Sequence, residues 1–398
     1  MKPAPVRVLH IITDLHAGGA ELMLYRLLSR SDRRVFQHEV FSLSGSGPVG
    51  ERIRSLGIPV FGGEVHRLAS VPKMLGALAG HCHRRDPNVV HTWLYHSDLV
   101  GGLAAKLFSR AKVIWHLHHK DLVPPLIKPR TRQVARACAL LSRSIPDKIV
   151  CCSNAAMETH SAFGYDARRM LAIPNGFDLD EFSPEPCVRE ETRRRLGIPE
   201  SSPVIALIAR FSPLKDHETF FCSCRRIHQN HPNTIFLLCG DLITAGNEIL
   251  MQWIKRAGIL ESCRLLGRQD NIPAILAAAD IAVSSSRTEA FPCVVGEAMA
   301  MQIPCVVTDV GDSGFLVGDT GRVVPPGDPE ALAASCLELI RLNEAARRSL
   351  GQRARQRIQR EFSLQSFVEK IEMLYRQVRV AGRCIQPGMV TPGTVSET

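Results

Sequence analysis

Two glutamates, Glu289 and Glu297, interrupt an apolar segment that follows the strand-like run 281–284. Pro292 suits the first position of a helix and disfavours a helical conformation at Phe291, so a helix is expected from Pro292 through Met299 or beyond. Glu289 would then lie in the loop before the helix and Glu297 on its second turn. Two carboxylates at this spacing can hold hydroxyl groups of one ligand.

The start of this helix is expected to bind an anion. Phe291, in the capping position, has no side-chain oxygen, so the N–H groups of Cys293 and Val294 are left open. A ligand with a phosphate near these amides and hydroxyls near Glu289 and Glu297 would satisfy every group, and a nucleotide sugar has that layout. The alternative is that Glu289 is a solvated loop residue and Glu297 an exposed helix position.

Positive charge is expected at the end of another strand. Arg210 directly follows the apolar run 204–209, and Lys215 comes five residues later, before a further helical pattern. An arginine fork and a lysine point charge together can hold a diphosphate and neutralise it as it leaves. A solvated surface pair is the alternative, although Arg210 ends a strand expected to be buried.

Glycines and histidines follow two strands of the first half. Gly18 and Gly19 lie between a strand and a helix, where they allow the backbone to approach a phosphate or sugar closely, although a tight turn alone would also explain them. Strand alternation puts His116 and His118 on one face and His119 on the other. A histidine here can hydrogen-bond a sugar hydroxyl or a phosphate. The turn-rich stretches 308–314 and 318–328 are candidates for walls of the same site.

Composition indicates a cytoplasmic protein of two domains. The chain has 398 residues, its longest apolar runs fall short of the ~18 residues of a membrane span, and its start leads directly into a strand with no signal-peptide pattern. Thirteen cysteines, an odd number, favour reduced core thiols, among them Cys151, Cys152, Cys222, Cys224 and Cys239. Without a second ligand pair at zinc spacing, no metal site is expected.

The formal charge of +10 favours an anionic partner. In the amphipathic stretch 132–145, Arg132, Arg136 and Arg143 fall on the face opposite the apolar residues, which indicates an outward basic surface. An acidic membrane surface or a diphosphate-bearing acceptor fits this surface. Nucleic acid fits less well, because no binding motif or interleaved aromatics accompany the charge. A second arginine-rich helix, 341–360, is expected to be solvated.

Short strands alternate with helical patterns along the chain, which predicts an α/β protein with parallel sheets covered by helices. The turn-rich stretch 173–186 between the two sets of strands is typical of an interdomain linker. Two doubly wound domains would face one another, with ligands in the cleft at the carboxyl ends of the strands. The expected strands are 7–12, 38–42, 89–91, 112–115, 148–151, 204–209, 234–239, 264–266, 281–284 and 305–308.

The expected domain boundaries follow from this pattern. Residues 1–180 form the first, acceptor-side domain, and residues 181–362 form the second, nucleotide-sugar-binding domain. Residues 363–380 form a terminal helix that can pack back on the first domain. The segment 381–398 has little to bury and is expected to be disordered. The apolar face of the terminal helix consists of Phe367, Ile371, Leu374 and Val378.

Together these features resemble the retaining glycosyltransferases of family 4, which have the GT-B fold of two Rossmann-like domains. The resemblance runs from Val6 to about Val380. Its specific parts are Gly18-Gly-Ala-Glu21, Pro174-Asn-Gly-Phe-Asp178, Arg210 with Lys215, the Glu289-x7-Glu297 pair followed by Ala-Met-Ala, and Gly321-Arg-Val-Val-Pro-Pro-Gly-Asp328.

The resemblance implies a role for each part of the site. Arg210 and Lys215 would bind the diphosphate of a nucleotide-sugar donor, and Glu297 the ribose hydroxyls. Glu289 would bind the transferred sugar, and His118 would lie beside the reacting centre. The phosphate and sugar would also contact the backbone of Gly18, Gly19, Phe291, Pro292, Cys293 and Val294.

The implied activity is transfer of a hexosyl unit, with retention of configuration, from a nucleotide diphosphate sugar to an acceptor hydroxyl, without metal or cofactor. The basic surface suggests a lipid-linked or polysaccharide glycan acceptor, as in lipopolysaccharide or exopolysaccharide assembly, reached by peripheral membrane contact. A nucleotide-sugar 2-epimerase of similar fold and a noncatalytic nucleotide-sugar-binding protein are the alternatives.

Two departures from the family pattern border the donor. Ala290 replaces the glycine that many relatives have after the first glutamate, and Gly240-Asp-Leu lacks the second glycine of the usual turn. The identity of the donor therefore stays open. Arg268 and Gln269 are candidates for lining the base pocket.

Overall fold

The protein is described from a computed structural model. The described residues are 4–16, 18–62, 71–122, 124 and 126–381. The predicted disordered tail lies outside this range except for its first residue.

The first domain is built on a seven-stranded parallel sheet of order β3-β2-β1-β4-β5-β6-β7. Helices cover both of its faces, as a parallel sheet requires. Its strands are β1 (Val6–Ile12), β2 (Phe36–Ser42), β3 (Val60–Gly62), β4 (Val89–Trp93), β5 (Lys112–Leu117), β6 (Lys148–Cys151) and β7 (Met170–Ala172). Its helices are α1 (Gly19–Arg30), α2 (Gly47–Ser55), α3 (Val71–Arg85), α4 (Tyr95–Phe108), α5 (Pro129–Leu141) and α6 (Asn154–Phe163).

The second domain repeats this design with a six-stranded parallel sheet of order β10-β9-β8-β11-β12-β13. Its strands are β8 (Val204–Ile208), β9 (Ile235–Cys239), β10 (Cys263–Leu265), β11 (Ile281–Ser284), β12 (Cys305–Thr308) and β13 (Arg322–Val324). The helices that follow the first sheet are α7 (Pro186–Arg195), α8 (His217–Asn230), α9 (Glu248–Ala257), α10 (Ile272–Ala277), α11 (Cys293–Ala300), α12 (Ser313–Val317), α13 (Pro329–Arg341), α14 (Glu344–Glu361) and α15 (Leu364–Ala381).

The predicted fold class, two doubly wound α/β domains, is confirmed. All ten predicted strands are present, and their ends differ from the expected ones by two residues at most. The sequence analysis missed β3, β7 and β13. Each of these has three residues, too few to show an alternating or continuous apolar pattern.

Each sheet has one point at which the strand order reverses, between β1 and β4 in the first domain and between β8 and β11 in the second. The helices after the two central strands then lie on opposite faces of the sheet, which opens a crevice at the carboxyl edge. The segments that leave β1, β5, β8 and β11 carry most of the predicted site residues. Both switch points therefore deliver those residues to one edge of their sheet.

Phe177, in the linker, joins three parts of the molecule. Its N–H donates to the carbonyl of Phe362 at 2.9 Å, and its own carbonyl accepts from the N–H of Leu364 at 2.8 Å. A Cβ added at Gly296 in α11 would lie 2.0 Å from the Phe177 ring. The linker, the start of α15 and α11 are thus packed against one another around one fully buried aromatic side chain.

The terminal helix α15 packs on the first domain. Its predicted apolar face is buried, together with Tyr375, in a core shared with β1, β2 and α1. The Tyr375 hydroxyl is 2.7 Å from Nδ1 of His91, and the carboxylate of Glu372 accepts from the Ser31 hydroxyl at 2.7 Å. The chain therefore crosses back to the first domain after completing the second.

The prediction that the second arginine-rich helix is only solvated surface was wrong. In α14, Arg355 donates to the carbonyls of Leu179, Phe182 and Ala300. Arg357 donates to the carbonyls of Phe315 and Leu316. These guanidinium groups donate hydrogen bonds to carbonyls at the ends of other segments. The pattern of charge along one helix cannot predict such long-range partners.

The predicted basic face of α5 is only partly correct. The helix ends at Leu141, so Arg143 lies beyond it, although Arg136 and Arg143 are both exposed. Arg132 is half-buried, because its Nε donates to the carbonyl of Leu122 at 2.9 Å and its guanidinium lies over the Phe163 ring. Two of the three arginines are therefore available at the surface.

The described cysteines are all free thiols. Cys151, Cys152, Cys224 and Cys239 are buried, as predicted. Cys222 is exposed, which contradicts its predicted place in the core.

Four buried histidines, His10, His38, His91 and His116, form a histidine cluster between the first sheet and α15. Nε2 of His10 is 3.0 Å from Nδ1 of His38, and His38 Nε2 is 2.8 Å from the Ser31 hydroxyl. Burial lowers the pKa of His38 to about 4 and that of His91 to about 3, and it also lowers the pKa of His10 and His116. The cluster is therefore neutral in the folded protein at neutral pH.

This cluster should make the first domain sensitive to acid. In the unfolded chain a histidine binds a proton below about pH 6.5, whereas the folded cluster does not, so stability is full above that pH and falls as the pH is lowered. In a Trp253→Phe background, the tryptophan fluorescence comes from Trp93 and Trp115 alone, and both lie in the first domain. Between pH 6.5 and 5.5, His38→Gln should lose roughly 1 kcal/mol less unfolding free energy than the parent in urea titrations. His83→Gln, at an exposed position, is the control, and equal losses in all three proteins would contradict the expectation.

Candidate active site

A cavity of about 600 Å³ lies between the carboxyl edges of the two sheets. The residues that line it come from both domains and from the linker. Those from the first domain and the linker include Gly18, Gly19, Glu21, Leu94, His118, His119, Cys152 and Asn175. Those from the second domain include Arg210, Lys215, Ser286, Glu289, Phe291, Pro292, Cys293, Val294 and Val295.

Lys215 and Glu289 form an ion pair on the second-domain side of the cleft. Oε1 of Glu289 also accepts from the Ser286 hydroxyl at 2.7 Å. Lys215 lies in a short 3₁₀ turn, and the carbonyl of Leu214 accepts from the N–H of Arg287 at 2.8 Å. The loop after β11 thus holds the turn after β8, which is why a lysine and a glutamate so distant in sequence meet.

Arg210 leaves the end of β8 and is exposed to the cleft. Within the described part of the chain, no carboxylate lies within ion-pair distance of its guanidinium. Since the neighbouring cation, Lys215, is already neutralised by Glu289, Arg210 contributes uncompensated positive charge on this side of the cleft.

The helix α11 begins at Cys293, one residue later than predicted, and Pro292 rather than Phe291 is its capping residue. The carbonyl of Pro292 accepts from the N–H groups of Val295 and Gly296 at 3.1 and 3.3 Å. No side chain caps this end of the helix, so the N–H groups of Cys293 and Val294 stay open as predicted. They lie in the wall of the cleft, where a helix N-terminus favours an anion.

The helix α1 presents its N-terminus to the same cleft from the first domain. Gly18 caps it without a side-chain hydrogen bond, and the carboxylate of Glu21 folds back so closely that a Cβ at Gly18 would lie 2.3 Å from its Oε2. Burial raises the pKa of Glu21 to about 7. The Glu21 carboxylate therefore occupies the space that a side chain at position 18 would need, a contact that was not predicted.

His118 lies where β5 ends, with its ring stacked on Trp93 at 5.3 Å between centroids. Burial lowers its pKa to about 3, so it is neutral at physiological pH. Its Nε2 has no hydrogen-bond partner among the described residues. A neutral imidazole with a free nitrogen can exchange a hydrogen bond with a substrate hydroxyl but cannot supply a cation. His119 lines the cleft as well, although it follows His118 and was expected on the other face.

The sequence analysis missed two further groups in the cleft. Asn175 is buried, its amide contacts the Cys293 thiol at 3.5 Å, and its Oδ1 is without a partner in the described residues. Leu94 has φ of 74°, a strained conformation for a residue with a branched side chain. Asn175 lies in a turn-rich motif whose pattern does not single it out, and the conformation of Leu94 leaves no signal in the sequence.

Two predicted site residues lie outside the lining of the cleft. Glu297 is buried, and its Oε1 accepts from Nη2 of Arg26 at 3.0 Å. Arg268 is exposed on the loop after β10. The ribose role of Glu297 and the base-pocket role of Arg268 remain predictions.

The loop 309–312 supports the cleft from behind. The N–H of Asp312 donates to the carbonyl of Ala290 at 3.3 Å, and its carboxylate accepts from the N–H groups of Asn154 and Ala155, both at 2.8 Å. It therefore caps α6 of the first domain while holding the loop that carries Glu289. Neither this loop nor 318–328 lines the cavity, so the expectation that they form its walls was wrong.

A larger groove, of about 890 Å³, lies at the amino edge of the second sheet. Its arginines include Arg189 and Arg193, which hold the carboxylate of Asp280 at 2.6 and 2.7 Å. Their charge is thus already used to brace the start of β11. Unlike this groove, the cleft lies at the carboxyl edges of both sheets, where doubly wound domains bind their ligands.

Comparison with solved structures identifies the fold. The structure of HepE of Anabaena in complex with UDP-glucose matches 93% of this chain and 99% of that protein, with a TM-score of 0.81 and 22% sequence identity. The two domains and their facing edges are those of the GT-B glycosyltransferase fold, as the sequence resemblance implied.

The family follows from the sequence. The model for glycosyltransferase family 4 matches residues 17–181, and the model for glycosyl transferases group 1 matches residues 188–357. Together the two models cover most of the chain. The chain therefore belongs to the family 4, group 1 type, glycosyltransferases.

Two characterised relatives show the range of the family. The chain is 24% identical, over 72% of its length and 75% of the relative, to an Escherichia coli UDP-Gal:alpha-D-GlcNAc-diphosphoundecaprenol alpha-1,3-galactosyltransferase. It is 30% identical, over 47% of its length and 49% of the relative, to the Bacillus anthracis N-acetyl-alpha-D-glucosaminyl L-malate synthase.

The packing of Gly311 against the Glu289 loop yields a prediction. A Cβ at Gly311 would lie 1.9 Å from the Glu289 carbonyl oxygen, so Gly311→Ala must displace that loop and should weaken UDP binding tenfold or more, measured by calorimetry. Gly327→Ala is the matched control, because Gly327 also has positive φ, +74° against +56°, but nothing lies near its Cβ. Equal UDP affinities for the two variants would contradict this account of the loop.

Proposed function

We propose that the protein is a retaining, metal-independent hexosyltransferase that moves a sugar from a nucleotide diphosphate donor to an acceptor hydroxyl. The observation that carries the proposal is the convergence of Arg210, Lys215, Glu289, His118 and the open amides of α11 on one interdomain cleft. These are the groups that a diphosphate, a sugar and a reacting hydroxyl require together.

The donor diphosphate, for which UDP is the probe because the Escherichia coli and Anabaena proteins are named with it, would bind at the second-domain wall. Arg210 would supply its uncompensated positive charge. The open N–H groups of Cys293 and Val294, at the N-terminus of α11, would donate hydrogen bonds to the phosphates. Lys215 would leave Glu289 for the diphosphate, and the freed carboxylate would accept from a hydroxyl of the transferred sugar. The Lys215–Glu289 ion pair would thus hold both side chains beside the donor site until the diphosphate and the sugar bind them.

The transfer with retention that the family resemblance implies would need no protein nucleophile. The bond between the anomeric carbon and the diphosphate oxygen breaks, and the acceptor oxygen bonds to the same face of that carbon. The acceptor proton passes to the leaving diphosphate oxygen. Arg210, Lys215 and the α11 amides stabilise the charge that develops on the diphosphate, and neutral His118 holds a hydroxyl beside the reacting carbon.

The basic groups and the helix terminus supply the positive charge that a divalent cation supplies in other sugar transferases. We therefore expect activity to persist in excess EDTA.

Turnover tests the role of Lys215. Lys215→Ala should lower kcat by roughly 10²-fold or more, because a charge that stabilises the leaving diphosphate is removed. Lys255→Ala, at an exposed position of α9, removes the same charge away from the cleft and should leave kcat unchanged. A folded Lys215→Ala variant with normal kcat would refute the assigned role.

The same assay separates the alternatives when products are followed by proton NMR. A retaining transferase gives a glycoside of the donor's anomeric configuration and only in the presence of acceptor. Conversion of the donor to its 2-epimer without acceptor would identify an epimerase. Tight donor binding without any product, over a panel of acceptor glycans, would favour the noncatalytic alternative.

The acceptor is proposed to be a lipid-linked glycan reached from a membrane surface. The Escherichia coli relative acts on a diphosphoundecaprenol-linked sugar, as its name states. Along α5 and just beyond it, Arg136, Leu140 and Arg143 are exposed at helical spacing, and Leu140 is 80% exposed. No helix in the described ranges has the length and apolar character of a membrane span.

Vesicle binding tests this surface. Replacing Arg136, Leu140 and Arg143 by Gln should weaken binding to phosphatidylglycerol-containing vesicles tenfold or more, since each arginine near an anionic surface contributes about 1 kcal/mol. The double variant Arg225→Gln/Arg256→Gln removes the same charge from exposed positions of the second domain and should bind normally. Equal binding by both variants in a flotation assay would exclude the α5 surface.

A further inference from the structure

Arg26 of the first domain makes a buried ion pair with Glu297 of the second. Nη2 of Arg26 is 3.0 Å from Oε1 of Glu297, and the two side chains are 9% and 11% exposed. Charged side chains are rarely buried to this degree unless they are paired, because each charge loses its hydration. The pair joins α1 to α11.

The surroundings of Arg26 come mainly from outside its own domain. Oε2 of Glu181 lies 3.5 Å from the same Nη2, and the guanidinium is 5.6 Å from the centre of the Phe182 ring. Both residues belong to the linker segment that leads into α7. The Arg26 side chain therefore has these partners only when the two domains are arranged as they are in this structure.

The ion pair stands directly behind the cleft. Glu297 follows Cys293 by one helical turn, and Cys293 carries one of the open amides of α11. Arg26 is on α1, whose N-terminus at Gly18 lines the opposite wall. The two helices that point their N-termini into the cleft are thus tied together by one interaction behind it.

Only one oxygen of Glu297 is used in this pair. Oε1 accepts from Arg26, whereas Oε2 makes no hydrogen bond within the described residues. Burial raises the pKa of Glu297, and Arg26 opposes that rise, so the arginine favours the ionised carboxylate. An ionised carboxylate with one oxygen fixed and one open is a strong acceptor for a neighbouring hydroxyl.

We propose that Arg26 is a positioning residue for the donor site, which holds Glu297 so that its second oxygen binds a ribose hydroxyl. The proposal rests on the proposed function and on the ribose contact that the family resemblance implies for Glu297. Because the two partners belong to different domains, the complete ribose site exists only when the domains are closed. Nucleotide binding and domain closure then stabilise one another.

The test compares UDP with 2′-deoxy-UDP by calorimetry on the full chain. The unaltered protein should prefer UDP. Arg26→Met should weaken UDP binding about tenfold or more and remove the preference over 2′-deoxy-UDP, while Arg26→Lys should restore part of both. The double variant Arg26→Met/Glu297→Gln should bind UDP no more weakly than Glu297→Gln alone, since both changes remove one interaction.

Arg30→Met is the matched control. Arg30 lies one turn further along α1 and pairs with Asp178 and Asp180 of the linker, so its loss removes an ion pair across the same boundary without touching Glu297. It should leave the preference for UDP intact. Thermal unfolding of each variant, and the partial restoration by lysine, separate an effect on the site from an effect on the fold.

Three outcomes would overturn the proposal. If Arg26→Met binds UDP as tightly as the parent or more tightly and keeps the preference, while Glu297→Gln loses both, Arg26 does not position the carboxylate and the proposed function stands. If Arg30→Met loses the preference equally, domain contact in general is responsible. If Glu297→Gln keeps both affinity and preference, the ribose role implied for Glu297 fails together with the role of Arg26, whereas the proposed function, which uses Arg210, Lys215 and the α11 amides, stands.

Discussion

The structure depends on the packing of the linker around Phe177. A parallel sheet buries both faces, and in doubly wound domains ligands bind at the carboxyl edge of the sheet, so a site between two such domains exists only where their carboxyl edges are held face to face. Phe177 supplies that constraint, since it bonds to the backbone at the start of α15 and fills the space left by Gly296 in α11. The direction of α11, and with it the position of its open amides, follows from this contact.

The charges on the second-domain side of the cleft suit a polyanion. Lys215 and Glu289 neutralise each other, whereas Arg210 and the open N-terminus of α11 add positive potential there. Polar contacts between the domains surround this region: Thr288 donates to Asp121 at 2.7 Å, and Asp312 caps α6. These interdomain contacts lie near the places where a donor would bind. The loops that would bind the ligand are therefore also the loops that hold the two domains together.

Most of the fold could be predicted from local sequence, and so could the site residues that lie in loops at the ends of strands. The positions of Arg210, Lys215 and Glu289 could be predicted because each follows a long apolar strand, and such strands must end at the ligand-binding edge. The pairing of Arg26 with Glu297 could not, because the two residues are 271 positions apart and neither lies in a motif that names the other. Arg355, which is half-buried and donates to carbonyls of the linker and of α11, escaped prediction for the same reason.

The crystal structure of the protein with UDP, grown in the presence of EDTA, tests the central claim most directly. The account predicts the diphosphate between Arg210, Lys215 and the N–H groups of Cys293 and Val294, with the Lys215–Glu289 ion pair separated. A diphosphate bound elsewhere, for example in the groove lined by Arg189 and Arg193, or a cleft that stays empty at saturating UDP, would contradict it.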